Sequence, residues 1–225
     1  MVSMLSLKSL LTREELATIN AKLDAATWVD GRETASGPTR QIKNNLQLGA
    51  EDPLARELGE MVGAALLRSD LFLAAAFPDR VAPIRFAAYG PGMTYGWHAD
   101  LAHMRFDEMI VRADVACTVF LANPETYQGG ELAIRLPVGE LRVKFPAGDA
   151  VVYPATTMHR VEPVTAGTRR VALTWIQSLI PKAEHRELLF DMRQTVGRLR
   201  ERDPENEDLV RLNVVYQNFA RLLAT

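Results

Sequence analysis

The sequence predicts an α+β chain that is mainly β, with a closed or double-sheet core such as a jelly roll and helices at both ends. Three observations predict it. Eight short segments rich in β-branched and aromatic residues follow one another between about residues 81 and 180, separated by Gly, Pro and Asn turns. No helical pattern interrupts them, which argues against crossover helices and a parallel sheet. Helical spacing of apolar residues is confined to the stretches before Phe77 and after Glu184.

The elements follow in order. Thr12 and Glu15 form a Thr-x-x-Glu capping box, so a helix is expected over about 13–26. The turn-rich WVDGRETASGPT ends it, and IKNNLQL (42–48) is a short strand or a loop. Asp52 followed by Pro53 opens a second helix over 52–69. The β segments are VAPIRFAAYG, MTYGWHAD, VRADVACTVFLA, GELAIRL, GELRVKF, DAVVYP, MHRVEPV and RRVALTWIQSLI. Two amphipathic helices joined around Pro204 close the chain. The expected organisation is one unit over 1–180, with N-terminal helices in 1–76 and a β core in 80–180, and a helical extension over 181–225.

Composition narrows the function. The chain has 225 residues, 48% of them hydrophobic, enough to bury a core without staples. A net charge of −2 argues against nucleic-acid and membrane-surface partners, which favour basic chains. The lone Cys117 rules out an intrachain disulfide and suits a reducing cytoplasm. No signal peptide or membrane span is expected.

Chemistry concentrates in YGWHADLAHM, residues 95–104. On a strand His98 and Asp100 share a face, while Tyr95 and Trp97 take the other. A histidine and a carboxylate offer two adjacent corners of a metal, and a second histidine completes a triangle suited to iron(II). The pair alone is a weak signal. Three other histidines are available. His185 lies in the expected C-terminal helix and His103 in an expected loop, whereas His159 lies on a late β segment that a sandwich brings to an early one. With the following hairpin turned at Pro163–Gly167, His159 sits opposite Val171. Arg169 then points inward beside it and Arg170 points away; a one-residue slip would exchange them. A buried arginine near a metal calls for an anion. The far carboxylate of a 2-oxoglutarate cosubstrate would supply one.

These stretches together resemble the PKHD-type hydroxylases, a branch of the prolyl/lysyl hydroxylase-like iron(II)/2-oxoglutarate dioxygenases. The resemblance rests on IKNNLQL, YGPGMTYGWHAD, FLANPETYQGGEL, FPAGDAVVYPATTMHRVEPVTAGTRRVALTWIQS and the helical C-terminal extension, and it spans nearly the whole chain. It implies a double-stranded β-helix, cupin-like fold. It implies iron(II) on His98, Asp100 and His159, 2-oxoglutarate on Arg169, and dependence on O2 and ascorbate. It further implies an association with bacterial iron uptake. Members often carry phenylalanine at the position of Trp97, on the face away from the ligands.

The expected activity is hydroxylation of a small-molecule or peptidyl substrate, with 2-oxoglutarate converted to succinate and CO2. Tyr89 either donates its hydroxyl to the cosubstrate or packs in the core. Lys43, Asn44 and Asn45 either line the substrate entrance or form a plain polar loop. His103 and Asp107 flank the mouth, Arg160 and Arg170 are solvated, Gly129-Gly130 makes a tight turn, and Cys117 is buried and inert. The apolar stripe of the C-terminal helices packs on the sheet and can serve a homodimer. Two rival classes are a jelly-roll enzyme using another divalent metal without a keto acid, and a non-catalytic iron- or ligand-binding protein. The first would not need Arg169, and the second would bind iron yet release no succinate.

Overall fold

A computed structural model describes residues 4–35, 37–107 and 109–224. Two antiparallel sheets face each other, as a jelly roll requires. The larger runs Leu5–Leu7, Ala150–Pro154, Val115–Phe120, Arg169–Ser178, Arg85–Tyr89, Leu46–Leu48, Trp28–Asp30, with Pro78–Val81 also paired to Arg169–Ser178. The smaller runs Gly139–Val143, Leu132–Leu136, His159–Val161, Thr94–His98, Lys43–Asn44.

The larger sheet is covered on both faces, and its strands show it. All of Val115–Phe120 is buried. Val115, Cys117 and Val119 join Ile19, Leu58 and Phe72 in a core beneath the N-terminal helices. Ala116 and Phe120 join Leu132, Ile134 and Val161 in the core between the sheets. Such a strand reads as a continuous apolar run because neither face meets water.

The N-terminal helices form where their caps direct. Thr12 accepts from the Glu15 amide at 3.2 Å, and Glu15 accepts from the Thr12 amide at 2.8 Å. The helix they start spans Arg13–Asp24. Asp52 caps Pro53–Arg68 by accepting from the Leu54 amide. Ser69 then caps a further short helix, Asp70–Ala76, which the apolar spacing did not separate from its neighbour. The region before residue 77 is more than helices. Its strands Leu5–Leu7, Trp28–Asp30 and Leu46–Leu48 extend the larger sheet, and Lys43–Asn44 edges the smaller one.

Three sequence expectations are corrected. The segment after His159 is not a hairpin. His159–Val161 pairs with Leu132–Leu136 and Thr94–His98, whereas Arg169–Ser178 lies in the opposite sheet. Between them Val164–Gly167 pairs with Tyr127–Gly129. The crossing passes so close to another strand that a Cβ on Gly167 (φ 71°) would fall 2.1 Å from the Thr126 carbonyl oxygen. Glycine alone makes that approach. His159 therefore faces Arg169 across the sandwich, and Val171 is paired with Ala87 instead. Second, the expected loop at 101–110 contains a hairpin, His103–Phe106 against Met109–Arg112, so His103 is on a strand. Third, Arg160 is half-buried: it stacks on Trp97 and pairs with Glu162 at 2.6 Å. Arg170 points away as expected and pairs with Asp24.

The C-terminal helices span Ala183–Arg202 and Asp208–Leu223. Buried Arg186 fastens the first to the core, donating to the carbonyls of Ile180, Pro181 and Asp114 at 2.7–3.2 Å. Leu188, Val210, Val214, Phe219 and Leu222 remain exposed. No helix among the described residues is long and apolar enough to cross a membrane.

Candidate active site

The space between the sheets opens into a cavity of about 410 Å³, within the range of small-molecule sites. His98, Asp100, His159, Tyr89 and Arg169 all line it. His98 and His159 are cross-strand partners on the smaller sheet. Asp100 follows two residues after His98, just past the strand end, and turns back so that its Oδ1 lies 3.9 Å from His159 Nε2. One donor atom from each of the three lies within 4.8 Å of the other two.

Both imidazoles are held the same way. His98 Nδ1 meets the Gly96 carbonyl at 2.8 Å, and His159 Nδ1 meets the Thr157 carbonyl at 2.9 Å. A carbonyl only accepts, so each Nδ1 carries the proton and each Nε2 presents a lone pair. Burial, and next the neighbouring His159 imidazole, pull His98 down to about 4, so its ring is neutral at pH 7. Burial raises the Asp100 carboxyl, opposed by the His159 imidazole and the Trp175 indole N–H. Asp100 Oδ2 is buried without a hydrogen-bond partner. Buried donors of this kind suit a cation better than they suit one another.

The strand bearing His98 departs from simple alternation. Two residues of one strand, His159 and Val161, oppose His98 and Tyr95, which are three apart. This bulge brings Tyr95 to the face of His98, correcting the expectation that it points away. Its ring stacks on the His98 ring with centroids 3.7 Å apart. Trp97 does point away, between the guanidinium groups of Arg135 and Arg160. Gly96 sits at the bulge, where a Cβ would lie 2.9 Å from Ile42 Cβ.

Arg169 is 1% exposed, and its Nε and Nη1 have no hydrogen-bond partner. Its guanidinium lies over the rings of Tyr89 (5.1 Å) and Phe120 (5.8 Å). Tyr89 is its cross-strand partner, and burial raises the Tyr89 phenol. Lys43 is also buried, with Nζ donating to Thr34 Oγ1 at 2.8 Å. Asn45 lines the cavity too, whereas Asn44 is exposed and bonds the Gly92 carbonyl. Exposed His103 borders the cavity. His185 is not part of the cluster. Cys117 is fully buried, its thiol pushed up to about 12, as suits an inert core residue.

Tyr95, Arg85 and Gln47 were not assigned to the site from sequence. Tyr95 was hidden by the bulge. Gln47 was legible in the alternation of Lys43, Asn45 and Gln47, polar residues spaced to share a face.

Comparison with known proteins agrees with this architecture. Residues 84–177 match the 2OG-Fe(II) oxygenase superfamily, and residues 184–224 match the PKHD-type hydroxylase C-terminal domain. A prolyl-4-hydroxylase from Pseudomonas putida shares the fold with TM-score 0.53 at 22% identity, over 79% of this chain and 93% of that one. A prolyl hydroxylase from Trichoplax adhaerens, in complex with a hypoxia inducible factor peptide, gives TM-score 0.56 at 13% identity, over 77% and 83%. Fold and family thus define an oxidoreductase of the iron(II)/2-oxoglutarate dioxygenase class. A PKHD-type hydroxylase of Stenotrophomonas maltophilia (strain R551-3) is 42% identical over 219 residues, 97% of each chain. The chain belongs to the PKHD-type hydroxylases.

Proposed function

We propose that the cavity binds iron(II) through Nε2 of His98, Nε2 of His159 and the Asp100 carboxylate, and 2-oxoglutarate through Arg169. The reaction is hydroxylation of a small-molecule or peptidyl substrate, with 2-oxoglutarate and O2 converted to succinate and CO2. The donor set supports the metal: two neutral nitrogens and one carboxylate leave positions open, the pattern associated with non-haem iron(II) oxygenases. The buried Arg169 guanidinium, whose Nε and Nη1 have no partner, supports the cosubstrate. A bidentate carboxylate satisfies such a group where water has little access.

Each side chain has a task in this scheme. Gly96 and Thr157 carbonyls hold the imidazoles with Nε2 inward. Arg169 grips the far carboxylate of the cosubstrate and so aims its keto acid end at the metal. Tyr89, beside Arg169, offers its hydroxyl to the same carboxylate. Tyr95 buttresses His98. When bound, iron supplies oxygen activation, and ascorbate keeps it ferrous; the protein supplies orientation and a dry wall. The oxygenase unit takes in residues 1–180, and residues 181–225 form a separate helical extension.

The observation that carries this reading is the convergence of three metal-type donors and a buried guanidinium with two unpartnered nitrogens on a single cavity. The test is succinate formation from 2-oxoglutarate by the iron-loaded protein, with and without O2. Succinate that needs both iron and O2, and falls when Arg169 is replaced, is the expected result. Oxygen-independent or absent turnover would overturn it.

A further inference from the structure

The cavity holds more positive charge than the proposed cosubstrate requires. Besides Arg169 it is lined by Lys43, Arg85 and Arg105, while Asp100 is its one carboxylate among the described residues. Lys43 is 6% exposed, and its Nζ lies 5.4 Å from the centre of the Tyr95 ring that stacks on His98. Arg85 is half-buried, its guanidinium 5.4 Å over the Phe106 ring. Among the described residues neither has an ion pair. Asp30, the acid that acts on Lys43, is already bonded by Arg32. Glu51 and Asp107 act on Arg85 only at a distance.

Burial, and next the Arg85 charge, draw the Lys43 ammonium down to about 8. Two cations close enough to repel, in a wall without an acid between them, are unfavourable until an anion arrives. A third group faces the same space. Asn45 is 2% exposed, and both its Nδ2 and Oδ1 lack a partner of hydrogen-bond geometry. Lys43 and Asn45 alternate onto one face beside the cavity. Its polar neighbour is the Tyr89 phenol, so Asn45 lies between Lys43 and the Arg169 side of the cavity.

We propose that Lys43 and Arg85 form a second anion-receiving locus, for the primary substrate. The substrate class is a small molecule or peptide bearing an oxyanion: a carboxylate, phosphate or sulfate. This rests on the reading of Arg169 as the cosubstrate anchor. The two loci have separate surroundings. Arg169 is flanked by Tyr89 and Phe120, Lys43 by Tyr95, and Arg85 by Phe106. Tyr95 connects the second locus to His98, so an anion held there leaves the rest of its molecule near the proposed metal.

The experiment is calorimetric titration of sulfate, and separately of acetate, into protein loaded with manganese(II) and saturating 2-oxoglutarate. Saturable binding of either probe is expected, and the tighter one tells a tetrahedral oxyanion from a carboxylate. Lys43→Met and Arg85→Met should each weaken it about tenfold or more, the effect of losing a charge-assisted hydrogen bond. Lys43→Arg should restore it to within a few-fold. Arg169→Met, loaded with manganese(II), should lose 2-oxoglutarate and keep the probe. The two methionine variants lie on different strands, so misfolding of one leaves the other to decide. No affinity for either probe, or affinity indifferent to both replacements, overturns the proposal. Probe binding that depends on Lys43 and Arg85 in a protein making no succinate would sink the oxygenase reading and support this one. Loss of 2-oxoglutarate in Lys43→Met but not in Arg169→Met would sink both.

Discussion

His98 and His159 face each other as a cross-strand pair, their ring centroids 4.3 Å apart, and each turns Nδ1 to a backbone carbonyl two residues earlier. Paired strands fix the separation, and the carbonyls fix the tautomers. The metal-type nitrogens are therefore pre-set by backbone, and only Asp100 depends on the chain beyond the strand.

Replacing the donors should affect metal binding more than folding. Asp100→Ala and His159→Ala are expected to weaken manganese(II) affinity by more than the roughly 10–100-fold seen when outer partners of metal ligands are lost. Calorimetry measures it, and thermal melting of the metal-free proteins should show no large loss. Asp100 Oδ2 has no partner to forfeit.

Arg169→Met should separate cosubstrate binding from stability. Losing a charged bidentate contact costs about 2–5 kcal/mol, equivalent to about 30-fold or more in 2-oxoglutarate affinity. In the manganese-loaded wild type, 2-oxoglutarate at 100 times its Kd should add about 2.7 kcal/mol of stability, and in the variant almost none. Thermal shift with and without 2-oxoglutarate reads both.

Lys43→Met should stabilise the protein at neutral pH. The Lys43 ammonium titrates near 8 in the folded chain against an ordinary 10.5, so keeping it charged opposes folding. At about 1.36 kcal/mol per pH unit the penalty is of the order of 3 kcal/mol. Below pH 8 both folded and unfolded lysines are protonated, and the penalty is present in full. Between pH 8 and 10.5 the unfolded state binds the extra proton, so wild-type stability gains from this group as pH rises. The advantage of the variant should shrink across that window. Urea melts at about pH 7, 9 and 10 provide the check.

Gly96→Ala tests the bulge. The added methyl would lie 2.9 Å from Ile42 Cβ, so the strand or the short helix Thr39–Ile42 must move. Overpacking of this kind costs about 1–3 kcal/mol. Because the Gly96 carbonyl orients His98, metal affinity should fall along with the melting temperature, which an ordinary surface Gly→Ala change would not do.

Much of this was legible in the sequence, and the failures have physical causes. Capping residues and the run of apolar segments announced the helices and the double-sheet core, because caps and burial act locally. His98 and Asp100 were found by spacing, and His159 by the way a sandwich joins early and late strands. Arg169 was directed inward through an incorrect hairpin. The alternation parity was right, but Gly167 carries the chain to the other sheet, a tertiary close approach that spacing does not encode. Tyr95 was missed because a bulge resets alternation. The short strands Leu5–Leu7 and Trp28–Asp30 lack enough residues for a period to show. They exist because they edge sheets built elsewhere.

The most direct test of the central claim is diffraction at the iron absorption edge, from crystals grown without oxygen in the presence of iron(II) and 2-oxoglutarate. A single anomalous peak bonded to Nε2 of His98, Nε2 of His159 and the Asp100 carboxylate, with the far carboxylate of 2-oxoglutarate on Arg169, is the result expected. An iron peak elsewhere, or 2-oxoglutarate seated on Lys43 and Arg85 with Arg169 left bare, would contradict it.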